Sequence, residues 1–215
     1  MDKVRLAILI LIVAVTASMA GFFMYKDINS GEEFAGKNEE AVKIEEISHN
    51  DAPKPSISPP DLTRKITVTA PMSEESKRQA LEKIAEIIKP LKVNQDLFDN
   101  WIELGSYTKL IGDYDGAVIY WQYAAAIRPK NFIPWANLGD LYLFNIKDVA
   151  KAEQNYLIAL SLGPDQVMVY EKLSELYRYF LKDDTKARVV LQDGIAKNPS
   201  ASGRLKYILD NYENN

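Results

Sequence analysis

The sequence predicts an all-α chain, a right-handed solenoid of helical hairpins with a capping helix at each end, preceded by a transmembrane helix. Three observations carry that expectation. An uncharged apolar run lies near the N-terminus, small, aromatic and proline residues recur at a fixed interval through the second half, and the residues between these markers follow a helical period. The 215 residues are 47% hydrophobic and 26% charged, which is the composition of a globular chain with room for one domain and extensions.

Residues 1–25 read as a short N-terminus and a signal-anchor. Leu6 to Tyr25 carries no charge, and about 20 helical residues reach about 30 Å, enough to cross a bilayer's hydrocarbon core. Lys3 and Arg5 precede the run, while Asp27, Glu32, Glu33, Glu39 and Glu40 follow it. The positive-inside rule then keeps the N-terminus in the cytoplasm and exports everything after Lys26, giving a single-pass protein of the cell membrane with an extracytoplasmic folded part. A cleaved signal peptide is the competing reading, with Ser18-Met19-Ala20 as its small-x-small site. It would yield a soluble exported protein. The apolar run continues through Gly21, Phe22, Phe23 and Met24, which favours retention.

Residues 26–72 read as a disordered acidic and proline-rich linker, because acidic clusters are followed by Pro53, Pro55, Pro59 and Pro60 with no sustained apolar period. Lys65-Ile66-Thr67-Val68-Thr69 alternates as a short strand would, but a lone strand has no partner in a helical protein and the stretch stays with the linker. Residues 73–97 hold a packing helix and a loop. Ala80, Leu81, Ile84, Ala85, Ile87 and Ile88 have helical spacing, Ser73 is placed to cap the start, and Pro90 is expected to end it.

Pro129, Pro164 and Pro199 recur at an interval of 35 positions. Aligning on them brings Trp101, Trp135 and Tyr170 into register, followed by Leu104-Gly105, Leu138-Gly139 and Leu173-Ser174, then Thr108, Tyr142 and Tyr177. Ala117, Ala152 and Ala187 also coincide, each followed four residues later by Trp121, Tyr156 or Leu191. The small residues are expected where the second helix of a unit approaches the first. Each proline ends a helix by lacking an amide proton and restricting its predecessor. Three units result, at 98–131, 132–166 and 167–199, and the second and third each carry one additional residue, expected in the turn between their helices. Leu205, Ile208-Leu209 and Tyr212 restart the pattern, so residues 200–215 read as a capping helix.

This pattern resembles the tetratricopeptide-repeat (TPR) family, with its run of Trp, Leu-Gly, Tyr, Ala, aromatic and Pro over about 34 residues. The middle unit matches almost throughout; the first departs at Thr108 and the third at Tyr170, Ser174 and Leu191. The resemblance implies a groove lined by the first helices of the units, which binds peptides or helices of other proteins. Carried over by alignment, its inward residues are Ile102, Ser106, Lys109, Ile133, Asn137, Asp140, Phe144, Met168, Lys172, Glu175 and Tyr179. One subset of the family grips a C-terminal carboxylate with Lys, Asn, Asn, Lys and Arg. Ile102, Ser106, Asn137, Met168 and Lys172 stand at those positions, so only Asn137 matches outright and the resemblance does not extend to that ligand.

The expected function is therefore a membrane-anchored scaffold for a protein or peptide partner, with a structural spacer as the other reading. No cofactor, metal or small-molecule substrate is expected. A net charge of -4 provides no basic footprint for nucleic acid. Cysteine is absent, the single histidine, His49, stands in a polar stretch, and no phosphate-loop, dinucleotide or nucleophile motif is present, so no enzymatic activity is expected.

Overall fold

A computed structural model describes residues 58–213. Among them the regular structure is helical: α1 (Glu74–Leu91), α2 (Phe98–Leu110), α3 (Tyr114–Ile127), α4 (Ile133–Asp140), α5 (Val149–Leu162), α6 (Val167–Glu175), α7 (Asp184–Lys197) and α8 (Gly203–Glu213). Each packs on its neighbours in the chain, so the hairpins α2–α3, α4–α5 and α6–α7 stack in sequence order between α1 and α8. No helix among the described residues is long and apolar enough to cross a membrane. The apolar run 6–25, most of the linker and His49 lie outside the described residues.

The helix starts follow local chemistry. Ser73 caps α1 through the Ser76 amide, which donates to the Ser73 hydroxyl at 3.1 Å. Asp113, Asp148 and Asp183 cap the second helix of each hairpin, accepting from the amides of Gly116, Lys151 and Lys186 at 3.2, 3.0 and 2.8 Å. Pro90 does not end α1 as expected. It sits in the last turn, and the Lys92 and Val93 amides close that turn onto the carbonyls of Ile88 and Pro90 at 3.1 and 3.0 Å. A proline so close to the end costs a single intrahelical bond, which the turn that follows absorbs.

The additional residue of the second and third units is not in the turn. It lies inside the first helix, where α4 and α6 pass directly into π-helical segments, Leu141–Ile146 and Leu176–Phe180. The helix-closing bonds locate it. The Asp113 amide donates to the Thr108 carbonyl five residues back, whereas those of Asp148 and Asp183 reach Tyr142 and Tyr177, six back. A wider turn keeps the backbone paired while adding one position, which a turn already closed by an aspartate cap has no room to do. The residue before each cap is left-handed: Gly112 at φ 82, Lys147 at φ 67 and Lys182 at φ 58.

The small residues of the repeat serve the aromatic position rather than the alanine. A Cβ on Gly139 would lie 2.6 Å from the Tyr156 ring, and one on Gly105 would overlap the Trp121 indole. Two apolar clusters result. One joins α1 to the first hairpin through Ile84, Leu91, Trp101, Leu104 and Tyr120. The other runs from Trp121 and Trp135 through Tyr156 and Tyr170 to Leu205 and Tyr212 of α8. Ile102 packs against both. The capping helix thus continues the repeat's own contacts.

Residues 58–72, expected within the disordered linker, are instead placed against the first hairpin. Leu62, Ile66, Val68 and Met72 pack on the smaller cluster while Asp61, Thr63, Lys65 and Thr67 face outward. The alternation read in the sequence is real, but its partner is a helical surface, and after a turn at 61–64 the segment continues without forming a strand.

Candidate functional site

The expected groove residues divide by environment. Ile102 is half-buried between the two clusters, and its carbonyl accepts from the Trp121 indole at 3.1 Å and the Ser106 hydroxyl at 2.9 Å. Its side chain packs against the edges of both clusters and is only partly open to solvent. Asp140 is also engaged: the Tyr156 hydroxyl donates to its carboxylate at 2.6 Å, tying α4 to α5. Burial, and then this carboxylate, push the Tyr156 phenol well above its ordinary range. Ser106 is exposed, while Lys109, Ile133 and Asn137 are half-buried.

The remaining positions converge on the π-helical ends. Phe144 stands edge-on to Phe180 with ring centroids 6.0 Å apart, and the Lys172 ammonium lies over the Phe144 ring at 5.3 Å. Lys172 also pairs with Glu175 at 3.2 Å, one helical turn along α6. Phe144, Phe180 and Tyr179 are 39%, 38% and 57% exposed, and Met168, at the start of α6, is 62% exposed. These are large apolar surfaces in water, arranged so that rings from two units touch while still presenting a face outward. The Arg178 guanidinium lies 5.5 Å from the Tyr179 ring and 3.8 Å from that of Tyr212, which is buried. Arg178 thereby links the exposed aromatic to the capping helix.

Phe180 was missed by the sequence reading. The additional residue of the third unit was expected in the turn between its helices. A π-helical turn instead advances the end of the helix by one position and turns Phe180 toward Phe144. The six-residue spacing from Tyr177 to Asp183, set against five from Thr108 to Asp113, is the signal that points to it. The described residues contain no group of three acidic or histidine side chains arranged to hold a metal ion.

No family model and no curated protein matches the chain. Solved structures do match. One, described as the crystal structure of MamA, is 18% identical with a TM-score of 0.50, over 66% of this chain and 89% of that one. At that identity the likeness concerns fold. Together with the stacked hairpins and their aromatic-to-glycine contacts, it gives the chain an all-α, TPR-like helical-repeat fold.

Proposed function

We propose that this chain is a membrane-tethered scaffold whose helical repeats bind a segment of another protein on the extracytoplasmic side, with no catalytic step of its own. The observation that carries the binding reading is the Phe144–Phe180 pair, two rings from adjacent units left partly in water, with the Lys172 ammonium over the Phe144 ring. Aromatic anchors of this kind dominate interface energetics when a partner covers them. Tyr179, Met168 and Ser106 extend the surface along the first helices, and Asn137 and Lys172 supply polar groups that orient a bound segment. The tether reading is carried by Lys3, Arg5 and the uncharged run 6–25.

The binding test begins with a photo-crosslinking residue at Ser106 in the full chain, which captures the partner and marks the surface. Against that partner, Phe144→Ala and Phe180→Ala should each weaken binding by about 1 to 3 kcal/mol with unchanged helicity and melting. Unchanged affinity in the double variant would move the site off these helices and leave the spacer reading in place. For the tether, the protein should remain with membranes after carbonate washing, and its repeats should be digested by protease once the outer barrier is opened. Recovery in the soluble fraction would favour the cleaved form.

A further inference from the structure

The first hairpin carries a track that the other two lack. Along one face of α3 and the turn before it lie Gly112, Asp113, Gly116 and Tyr120, and residues 61–70 run over all four. The Arg64 guanidinium forks onto the Asp113 carboxylate, one of its nitrogens donating at 3.0 Å. The Asp113 side chain is 3% exposed and that of Arg64 23%. Gly116 is open because of this contact, since a Cβ there would lie 2.6 Å from the guanidinium. Tyr120 is fully buried in the cluster against which Leu62 and Ile66 pack. At Gly112 a Cβ would lie 2.7 Å from the Ala70 nitrogen, and the Thr69 hydroxyl donates to the Gly112 carbonyl at 2.8 Å. In the second and third units the corresponding positions are Lys147, Asp148, Lys151 and Asn155, then Lys182, Asp183, Lys186 and Val190. Neither set leaves room for a crossing chain and an arginine.

The hold on this segment is uneven along its length. Among the described residues its backbone reaches the hairpin at one place, where the Thr69 and Ala70 amides donate to the Ile111 carbonyl at 2.9 and 3.0 Å. From 61 to 68 it is held by side chains alone: the half-buried Leu62, Ile66 and Val68, and Arg64. A segment with alternate residues in water and few backbone bonds opens at far lower free energy than the helices beneath it. Between 61 and 68 the ion pair is the directional contact with the hairpin, and losing Arg64 leaves a nearly dry carboxylate without its cation.

We propose that residues 61–70 are a releasable strap, latched by Arg64 on Asp113, that covers the apolar face of α1 and the first hairpin. The strap is a switch built into the fold. Force or binding that acts on the chain before Ser58 meets the strap ahead of the repeats, and its release uncovers an extended apolar track running to Asp113. The track then accepts a segment of the strap's own chemistry, alternating apolar residues with one arginine.

The test is hydrogen exchange on the full chain, read residue by residue, with Arg64→Gln and Arg64→Lys compared with the parent. In Arg64→Gln the Thr69 and Ala70 amides should exchange at least tenfold faster, and residues 58–72 should become the first protease site among residues 58–213. Helices α4 to α8 should keep their protection. Arg64→Lys keeps the charge but loses the fork and should fall between. Residues 108 to 120, uncovered in Arg64→Gln, should lose protection there, and a synthetic peptide of residues 58–72 should restore it. Unchanged strap exchange in Arg64→Gln would remove Arg64 as the latch. Loss of protection in all helices together, or failure to fold, would show that residues 61–70 are a fixed part of the core and overturn the proposal. A peptide without effect would overturn the claim that the track accepts a segment in trans.

Discussion

At the scale of single residues, the repeat is built from the pairing of one absent side chain with one large one. Gly139 is helical and needs no unusual backbone angle; it is glycine because the Tyr156 ring fills the space that a Cβ would take. Tyr156 in turn reaches past it to Asp140, so one residue sets both the approach of two helices and a buried hydrogen bond. Gly139→Leu should therefore displace the ring and cost about 1 to 3 kcal/mol or more, seen as a lowered melting temperature. Gly203→Ala makes a fair control, because nothing lies within 4 Å of a Cβ placed there. Equal melting of the two variants would contradict the assignment of Gly139 to this contact. The sequence showed the glycine and the aromatic as separate members of a pattern. That they touch follows from helix crossing, which spacing alone does not specify.

Elements differ in how far their sequence announces them. Helices α2 to α8 follow from apolar period, aspartate caps and prolines past the helix ends, all local signals that the tertiary structure leaves in force. The two π-helical segments and the strap were not legible in the same way. In the first case the count of residues was right, but a sequence does not say whether an added residue swells a turn or a helix. Here the aspartate caps decide it, since each closes its turn tightly and pushes the extra position back into the helix. In the second, alternation is a signal for an extended chain packed on any apolar surface, and only the presence of Gly112 and Gly116 beneath it distinguishes a docked segment from a free one. The aromatic pair fared in the same manner: Phe144 and Lys172 stand at positions the alignment picked out, while the π-helical segment, which the alignment did not show, brings Phe180 beside Phe144. The left-handed residues provide the test at this scale. Lysine at φ 67 or 58 holds a conformation that glycine adopts without a Cβ clash. Lys147→Gly and Lys182→Gly should each raise stability by up to about 1 kcal/mol, the gain reduced by the added freedom of glycine in the unfolded chain. Gly112→Ala should lower it, because there the same backbone angle coincides with the strap. Thermal melts of the three variants check both signs, and a destabilised Lys147→Gly would mean that the lysine side chain itself holds the turn.

Across the second and third units, stability rests on buried tyrosines that tie helices together within a unit and between units. Tyr156 bonds to Asp140, Tyr177 to Glu153 at 2.7 Å and Tyr170 to the Pro164 carbonyl at 3.1 Å, each ring lying in the cluster that spans the second and third units and α8. Burial is the first cause that pushes all three phenols upward, and neighbouring carboxylates add to it: Asp140 beside Tyr156, Glu153 beside Tyr177 and Asp193 beside Tyr170. The folded state therefore holds these protons more tightly than the unfolded chain, whose tyrosines titrate near pH 10. The stabilisation is complete below that pH and is lost as the pH rises from about 10 toward the folded values, because unfolding then releases protons that the folded state retains. Repeat proteins share stability between neighbouring units, so losing the tyrosine ties should unfold the second and third units and α8 together. The melting temperature should accordingly be flat between about pH 7 and 9 and fall steeply above about 10. Lysines lose charge in the same range and blur the assignment, which a comparison resolves. Tyr177→Phe gives up one hydrogen bond and should melt lower than the parent at neutral pH, yet its melting temperature should fall less steeply above pH 10, since one of the three protons is no longer at stake. Parallel curves for the two proteins would assign the alkaline loss to the lysines instead.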